Sequence, residues 1–408
     1  MRLLHTSDWH LGRSLHRVDL RDPQAAHLDH LVEVVRAERV DAVLVAGDVF
    51  DRAVPPVDAV ALYDEALFRV RDAGARVVVT SGNHDSASRL GVGARLVDAA
   101  GVHVRTRPRD CGAPVLLADE HGEVAVYGLP YLEPEAVRTL LPPDPGGSTE
   151  ALRGHAGVLG RAMACVRDDL SRRSARSVVL AHAWVTGGEP SDSERDVRVG
   201  GVGDVSAALF DGVDYTALGH LHGAQVLRSG LRYSGSPLAY SFSEAGHRKG
   251  SWLVDLGASG LTDVTFIPAP VPRRLGRLVG TLDSLLTNPR HTDAEDRWLQ
   301  VRLTDAVRPR AAMERLRGRF PHVLQLDFAP DDVGSRPTQW SDRLRGRTDR
   351  EVVHDFVAVV RAEPADDAES ALLDAACDAC TSGRVLEALP GGDNDGQAPD
   401  DGRAGLAS

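Results

Sequence analysis

At five places along this sequence, metal-capable side chains follow directly on a short apolar run. The first holds Asp8 and His10 in Ser-Asp-Trp-His, and the second holds Asp48 in Gly-Asp-Val-Phe-Asp. The third holds Asn83 and His84 in Gly-Asn-His-Asp, the fourth His182, and the fifth His220 and His222 in Gly-His-Leu-His. With His84 set aside, they supply two carboxylates, one amide oxygen and four imidazoles. That is too many donors for one divalent ion and suits two ions sharing a carboxylate. Nitrogen and oxygen donors without thiolate favour manganese, iron or zinc over calcium or copper(I). Two such ions, about 3.5–4 Å apart, can activate one water and clamp both oxygens of an in-line phosphoryl displacement. Each piece alone is ordinary: Asp-x-His is often a surface turn, Gly-Asp is common turn chemistry, and a lone histidine is usually a satisfied one. Their order and repetition carry the inference.

Elements that deliver five distant segments to one place are legible in the pattern. Leu28, Leu31, Val32 and Val35 fall at helical spacing within residues 23–40. A buried strand is expected at 42–46, a second helix at 57–72 and another strand at 77–80. Alternating strands and helices predict a mostly parallel sheet with helices on its faces, an α/β class. Apolar strands at 178–181 and 215–218 continue the theme, and segments near 124–127 and 231–266 read as antiparallel. In open α/β sheets the ligand crevice lies beyond the carboxyl ends of the strands. Residues two apart in an extended segment, such as Asp8 and His10 or His220 and His222, project to one side.

After the prolines at 268–272 the composition changes. A small α+β module is expected to about residue 345, with strand 299–303, helix 309–319 and strand 322–328. A helix pair follows at 349–362 and 366–380. Its apolar stripe is Val352, Val353, Phe356, Val357 and Val360. The polar stretch beyond Pro390 has the composition of a disordered tail.

The net charge is −12, which taken alone argues against a nucleic-acid binder. Lys249 is the only lysine, so the basicity is almost all arginine, suited to bidentate phosphate contact. An acidic chain with such chemistry is expected to need a partner to hold a polyanionic substrate. No apolar run is long enough to span a bilayer and no signal-peptide pattern opens the chain, so a cytoplasmic location is expected. Cys377 and Cys380 form a C-x-x-C without a second ligand pair nearby, and read as ordinary helix cysteines.

The combination Asp8-x-His10, Gly47-Asp48-x-x-Asp51, Gly82-Asn83-His84-Asp85, His182 and Gly219-His220-x-His222 resembles the calcineurin-like metallophosphoesterase signature. The SbcD branch is the closer likeness. It is carried by Leu-His-Thr-Ser-Asp-Trp-His-Leu-Gly at the start, Asp51-Arg52 with Pro55-Pro56, Ser81 to Ser86, and Ser234-Gly235-Ser236-Pro237. The resemblance implies an α/β core of the α+β sandwich type over residues 1–270, a DNA-capping domain at 271–345, a helix pair at 346–389 and a tail at 390–408. It implies that Asp8, His10, Asp48 and His222 hold one ion. Asp48, Asn83, His182 and His220 would hold the other, and manganese is the expected metal. His84 would be the non-ligand acid and Asp51 the residue that orients it. Arg52, and Arg89 beyond it, would contact phosphate, with Arg95, Arg105 and Arg107 as further groove candidates.

Expected substrates are duplex DNA ends and hairpins, cut by exonuclease and endonuclease action in repair, replication and recombination at the nucleoid. The expected partner is an SbcC-type SMC-like ATPase docked on the helix pair, with two nuclease chains in a heterotetramer. Two alternatives share the first half of the sequence: a phosphatase or small-molecule phosphodiesterase, and a non-catalytic assembly subunit.

Overall fold

The computed structural model describes residues 1–142, 152–194, 205–330, 347–361 and 363–387. The chain opens with β1 (Arg2–Thr6), the short hairpin β2 (Ser14–Leu15) and β3 (Val18–Asp19), then α1 (Arg21–Glu38), β4 (Ala42–Ala46), α2 (Val57–Asp72) and β5 (Arg76–Thr80). Two short helices, α3 (Ala87–Leu90) and α4 (Ala94–Val97), lead to β6 (Val102–Arg105), β7 (Val115–Asp119) and β8 (Gly122–Leu129). Then come α5 (Pro134–Val137), α6 (Gly154–Leu170), β9 (Arg176–His182), β10 (Tyr215–Gly219), β11 (Gln225–Arg228) and β12 (Leu231–Tyr233). The core closes with β13 (Gly250–Gly257) and β14 (Gly260–Pro268).

These strands form two six-stranded sheets, ordered β14-β13-β1-β4-β5-β6 and β11-β12-β10-β9-β8-β7. Both are mixed: β1, β4, β5 and β6 run parallel while β13 is antiparallel to β1, and β8, β9, β10 and β12 run parallel while β7 and β11 are antiparallel. Side chains alternate across each strand, and this divides the core into three layers. Leu44, Ala46 and Val78 meet Val126, Val178, Leu180 and Ala217 between the sheets. Val43, Val45, Val77 and Val79 face α1 and α2 on the outside. Val179 and Ala181 pack with Val158, Ala162 and Val166 of α6 on the other outside.

The mixed α/β sandwich class agrees with the sequence reading. The division into two sheets was less legible, because β9 and β10 are apolar on both faces and nothing in their composition says which strands they join. β9 pairs with β8 and β10, not with β4 or β5.

Beyond β14 lie β15 (Leu275–Gly280), α7 (Leu282–Thr287), β16 (Trp298–Leu303), α8 (Ala312–Arg319) and β17 (Val323–Phe328). The three strands are parallel and close over Leu282, Leu285, Leu299, Val301, Leu316 and Phe320. Strand β15 was not anticipated, since Gly276 and Arg277 break its apolar run. Leu275 packs with Leu15, Leu20, Leu238, Tyr240 and Phe242, which seats this small sheet on the loops flanking the metal-capable segments.

Residues 332–408 form a separate unit. Its described part is two helices, Asp349–Arg361 and Asp367–Glu387, joined by His354–Asp374 (3.0 Å) and by the Arg350–Asp378 and Arg361–Glu369 ion pairs. Val359, Val360 and Leu372 are exposed. The tail beyond Pro390 lies outside the described residues. No described helix is long and apolar enough to cross a membrane.

Candidate metal centre

All five strand-end segments converge at the carboxyl ends of the parallel strands. Asp8 and His10 follow β1, Asp48 follows β4, Asn83 and His84 follow β5, His182 ends β9, and His220 and His222 follow β10. Main-chain bonds lace the first two loops together: Asp8 N to Gly47 O and His10 N to Asp48 O, both 3.0 Å.

The backbone there is strained. Asp8, His10, Asp48 and His220 have φ of 52°, 44°, 48° and 105°, a region L-residues rarely adopt. Such conformations persist where surrounding structure over-determines them, and they gather at functional sites. Close backbone approach explains two glycines. A Cβ on Gly47, itself at φ 85°, would lie 2.4 Å from His182 Nδ1, and a Cβ on Gly82 would lie 2.1 Å from Asp48 Oδ1.

Asp48 stands between two sets of donors. Its Oδ2 is 3.6 Å from His10 Nε2 on one side and 3.5 Å from His182 Nε2 on the other. On the first side, His10 Nε2 and His222 Nε2 are 3.0 Å apart. On the second, Asn83 Oδ1 is 2.9 Å from His182 Nε2 and 3.1 Å from His220 Nδ1. Asp8 is wholly buried and accepts His220 N at 3.0 Å and the Ser7 hydroxyl.

The hydrogen-bond polarity shows what this cluster lacks. His182 Nδ1 can only donate to the Ala46 carbonyl (3.0 Å), so in the neutral ring Nε2 aims a lone pair at the oxygens of Asn83 and Asp48. His222 Nδ1 faces Ser193 Oγ (2.6 Å), whose own proton goes to the Glu244 carboxylate, and donation there leaves the His222 Nε2 lone pair facing His10. With His182 neutral, acceptor faces acceptor on the second side. Among the described residues, His220 Nε2 and His10 Nδ1 are buried with no hydrogen-bond partner. A cation between His182 Nε2 and the oxygens of Asn83 and Asp48 relieves that opposition, and the paired Nε2 atoms of His10 and His222 face Asp48 from the other side. Asp8, His10 and His222, and Asp8, Asp48 and His182, are each close enough to hold a single ion, as are His10, Asp48 and His84. The donor set therefore fits two divalent ions.

Electrostatics without the ions point the same way. Burial pushes His182 down, but Asp48 and Asp8 outweigh it and the ring rises to about 9. Burial likewise favours a protonated Asp48, yet His182, His10 and His84 hold its carboxyl well below the usual range. Burial lifts Asp8 to about 6 and drops His220 to about 3. The field of two carboxylates that draws a proton onto His182 attracts a metal cation in its place.

His84 Nδ1 donates to the Asp51 main-chain carbonyl (2.9 Å), and its own amide donates to Asp48 Oδ1 (2.8 Å). The contact between Asp51 and His84 is thus made by the backbone. The Asp51 carboxylate instead lies 3.8 Å from His10 Nδ1 and 3.6 Å from Arg13. Arg52 is largely exposed, 3.5 Å from Asp51 Oδ2, and Arg89 donates to Ala53 O (2.9 Å). Arg95, Arg105 and Arg107 gather around a separate cavity with Asp98, which pairs with Arg105 at 2.8 Å.

Several supporting residues escaped the sequence reading. Asp85 accepts the amides of Val49, Phe50 and Gly82, and so holds the second and third loops in one frame. Gln24 of α1 donates to His10 O (2.8 Å). Tyr240 donates to Trp9 O and lays its ring against His10 and His222. Buried Glu244 joins His222 Nδ1, the Ser193 hydroxyl and Lys249 Nζ, while Lys249 also donates to His222 O (2.8 Å). A carboxylate behind a ligating imidazole fixes its tautomer and raises its basicity. The uniqueness of Lys249 was the one available signal for this network.

This geometry is that of a two-metal phosphoesterase. The calcineurin-like phosphoesterase family profile matches residues 1–224, more than half the chain, and the protein belongs to that family. A second profile, the SbcD_C family described as the type 5 capsule protein repressor C-terminal domain, matches residues 271–361. Together they make the architecture SbcD-like. Among solved structures, the chain is similar to TT1561 of Thermus thermophilus (14% identity, 65% of this chain and 98% of that one, TM-score 0.37). It is also similar to a dimetal phosphatase from Danio rerio (13%, 66% and 99%, 0.39) and to GAP50 of Plasmodium (11%, 82% and 99%, 0.39).

Proposed function

We propose that the chain is the nuclease subunit of an SbcCD-type complex, hydrolysing DNA phosphodiesters with two manganese ions at duplex ends and hairpins. The observation that carries the chemistry is Asp48 standing between two opposed donor sets. Asp8, His10 and His222 hold one ion with it, and Asn83, His182 and His220 hold the other. When bound, the ions supply Lewis acidity and a water held for in-line attack.

The chain's own groups do the rest. Asp85, Gln24 and Glu244 keep the ligand-bearing loops in place. His84 commits Nδ1–H to the Asp51 carbonyl, so Nε2 is the atom that carries a proton towards the departing oxygen. Arg52 and Arg89 meet the phosphates on either side of the scissile one.

The SbcD_C match favours DNA over a small phosphoester. It supports partnership with an SbcC-type ATPase, for which Val359, Val360 and Leu372 of the helix pair offer apolar surface. Such a partner also compensates for the net charge of −12. This reading places the protein with the DNA in the cytoplasm.

The test is manganese-dependent digestion of a labelled DNA hairpin, with and without SbcC, beside a phosphomonoester. Cleavage of the hairpin by the wild type but not by His84→Ala, with metal content unchanged in the variant, is expected. Loss of metal along with activity makes His84 a ligand. Turnover of the monoester alone makes the protein a phosphatase.

A further inference from the structure

A cavity of about 380 Å³ lies between the loop after β4 and the turn at α3, lined by Phe50, Arg52, Val60, Tyr63, Arg89 and Leu90 among others. Its walls join the candidate metal centre through the chain itself. Arg52 follows Asp51, whose carbonyl holds His84, and Ser86 of the lining stands two residues after His84. Asp85 ties the two walls together through the amides of Phe50 and Gly82. The cavity is thus bounded by the same two loops that carry Asp48 and His84.

The lining separates into two chemistries. The interior is apolar and aromatic: Phe50 and Tyr63 pack edge to face with centroids 5.3 Å apart beside buried Leu90, while exposed Val60 and Val92 rim the mouth. The Tyr63 hydroxyl is buried out of reach of solvent, so the ring and not the hydroxyl forms the wall. The arginines carry the charge. The Arg52 side chain is 74% exposed, and Arg89 spends one donor on Ala53 O, leaving the other N–H groups of its guanidinium fork. An apolar, aromatic interior suits a flat ring and repels a phosphate. Arginines beside it suit phosphates. A volume in the roughly 300–1,000 Å³ range of small-ligand pockets admits such a ring.

We propose that this cavity receives one unstacked nucleobase of the strand being cut, with Arg52 and Arg89 on neighbouring backbone phosphates. The inference rests on the nuclease reading and makes it more specific. The protein selects strands that can release a base from the helix, such as frayed ends and hairpin loops, because a fully stacked duplex cannot fill the pocket. Unstacking a base costs least where it is already unpaired, and this difference is itself a source of selectivity.

The test uses the full-length protein with manganese and a series of end-labelled hairpins. Each carries a single tetrahydrofuran abasic residue, moved one nucleotide at a time past the cleavage position. Bis(p-nitrophenyl) phosphate serves as a substrate too small to reach the pocket. One abasic position next to the scissile phosphate is expected to lower kcat/KM by about ten- to hundred-fold, the scale of one lost base–aromatic contact, while other positions change little. Val60→Trp, which fills the cavity from α2, is expected to bring the intact hairpin down to the abasic rate and erase the difference. Equal rates at every abasic position overturn the proposal. So does a Val60→Trp enzyme that keeps the full abasic penalty. If bis(p-nitrophenyl) phosphate is hydrolysed and no hairpin is cut, the nuclease reading itself fails, and the pocket proposal with it.

Discussion

Replacing Glu244 by glutamine should loosen the metal centre from behind. The carboxylate is fully buried. One oxygen accepts the Ser193 hydroxyl and the Tyr240 amide (3.2 Å) and faces His222 Nδ1 at 3.3 Å. The other accepts Lys249 Nζ and lies 3.4 Å from the Ser236 hydroxyl. Glutamine keeps the shape, but its NH₂ must face either Lys249 or the His222 side, and both present donors.

Removing one partner of a buried ion pair costs about 3–5 kcal/mol. Lys249 keeps His222 O at 2.8 Å and Ser236 Oγ at 2.9 Å, which places the cost near the lower end. At about 2–4 °C per kcal/mol for a domain of moderate size, a fall in Tm of about 6–12 °C is expected by scanning fluorimetry. Loss of the carboxylate behind a ligating histidine also weakens metal binding, by about 10- to 100-fold. Titration of manganese against a competing chelator measures this.

The pH dependence has a definite sign. Burial alone would raise Glu244, but Lys249 and His222 hold its carboxyl well below the ordinary range. Its stabilisation is therefore full above the unfolded value of about 4.3 and is lost as the pH falls through the depressed one. The Tm gap between wild type and variant should be widest near neutrality and narrow in acid. A variant with unchanged Tm and unchanged manganese affinity refutes the reasoning.

Other perturbations test other parts of the account. Gly82→Ala puts a methyl 2.1 Å from Asp48 Oδ1, so manganese stoichiometry by elemental analysis should fall while circular dichroism keeps its native form. Asp119 receives Arg176 at 3.0 Å, and also the amino terminus, where the first sheet meets the second. Asp119→Asn should lower stability by about 1.5–3 kcal/mol in urea denaturation, towards the lower figure because the carboxylate reaches solvent. Hydrogen bonds from Arg176, then the amino terminus, depress Asp119, so this difference should hold above about pH 4 and fade below it. Truncation after Thr348 should preserve manganese-dependent hydrolysis of bis(p-nitrophenyl) phosphate and abolish co-purification with SbcC. Retained binding would place the docking surface elsewhere.

Much of the site was legible because each donor sits at a strand end, where an apolar run stops and a polar side chain follows. Ala42–Ala46 and Val57–Asp72 have the bounds their composition suggests. Supporting groups were hidden for a physical reason. Glu244 lies in a short turn 22 residues beyond His222, and Gln24 sits on a helix face otherwise devoted to packing. Only the tertiary fold brings them behind the ligands. The positive φ values of Asp8, His10, Asp48 and His220 were equally silent, since none of these residues is the glycine that usually marks such a conformation. The Asp51 contact shows the converse limit: a motif names a residue, but the structure decides whether its side chain or its backbone acts.

The most direct measurement is anomalous diffraction at the manganese edge from crystals equilibrated with Mn²⁺. Two peaks about 3.5–4 Å apart are expected, one between Asp8, His10 and His222, the other between Asn83, His182 and His220, with Asp48 touching both. A single peak, or none within reach of Asp48, would contradict the two-metal account.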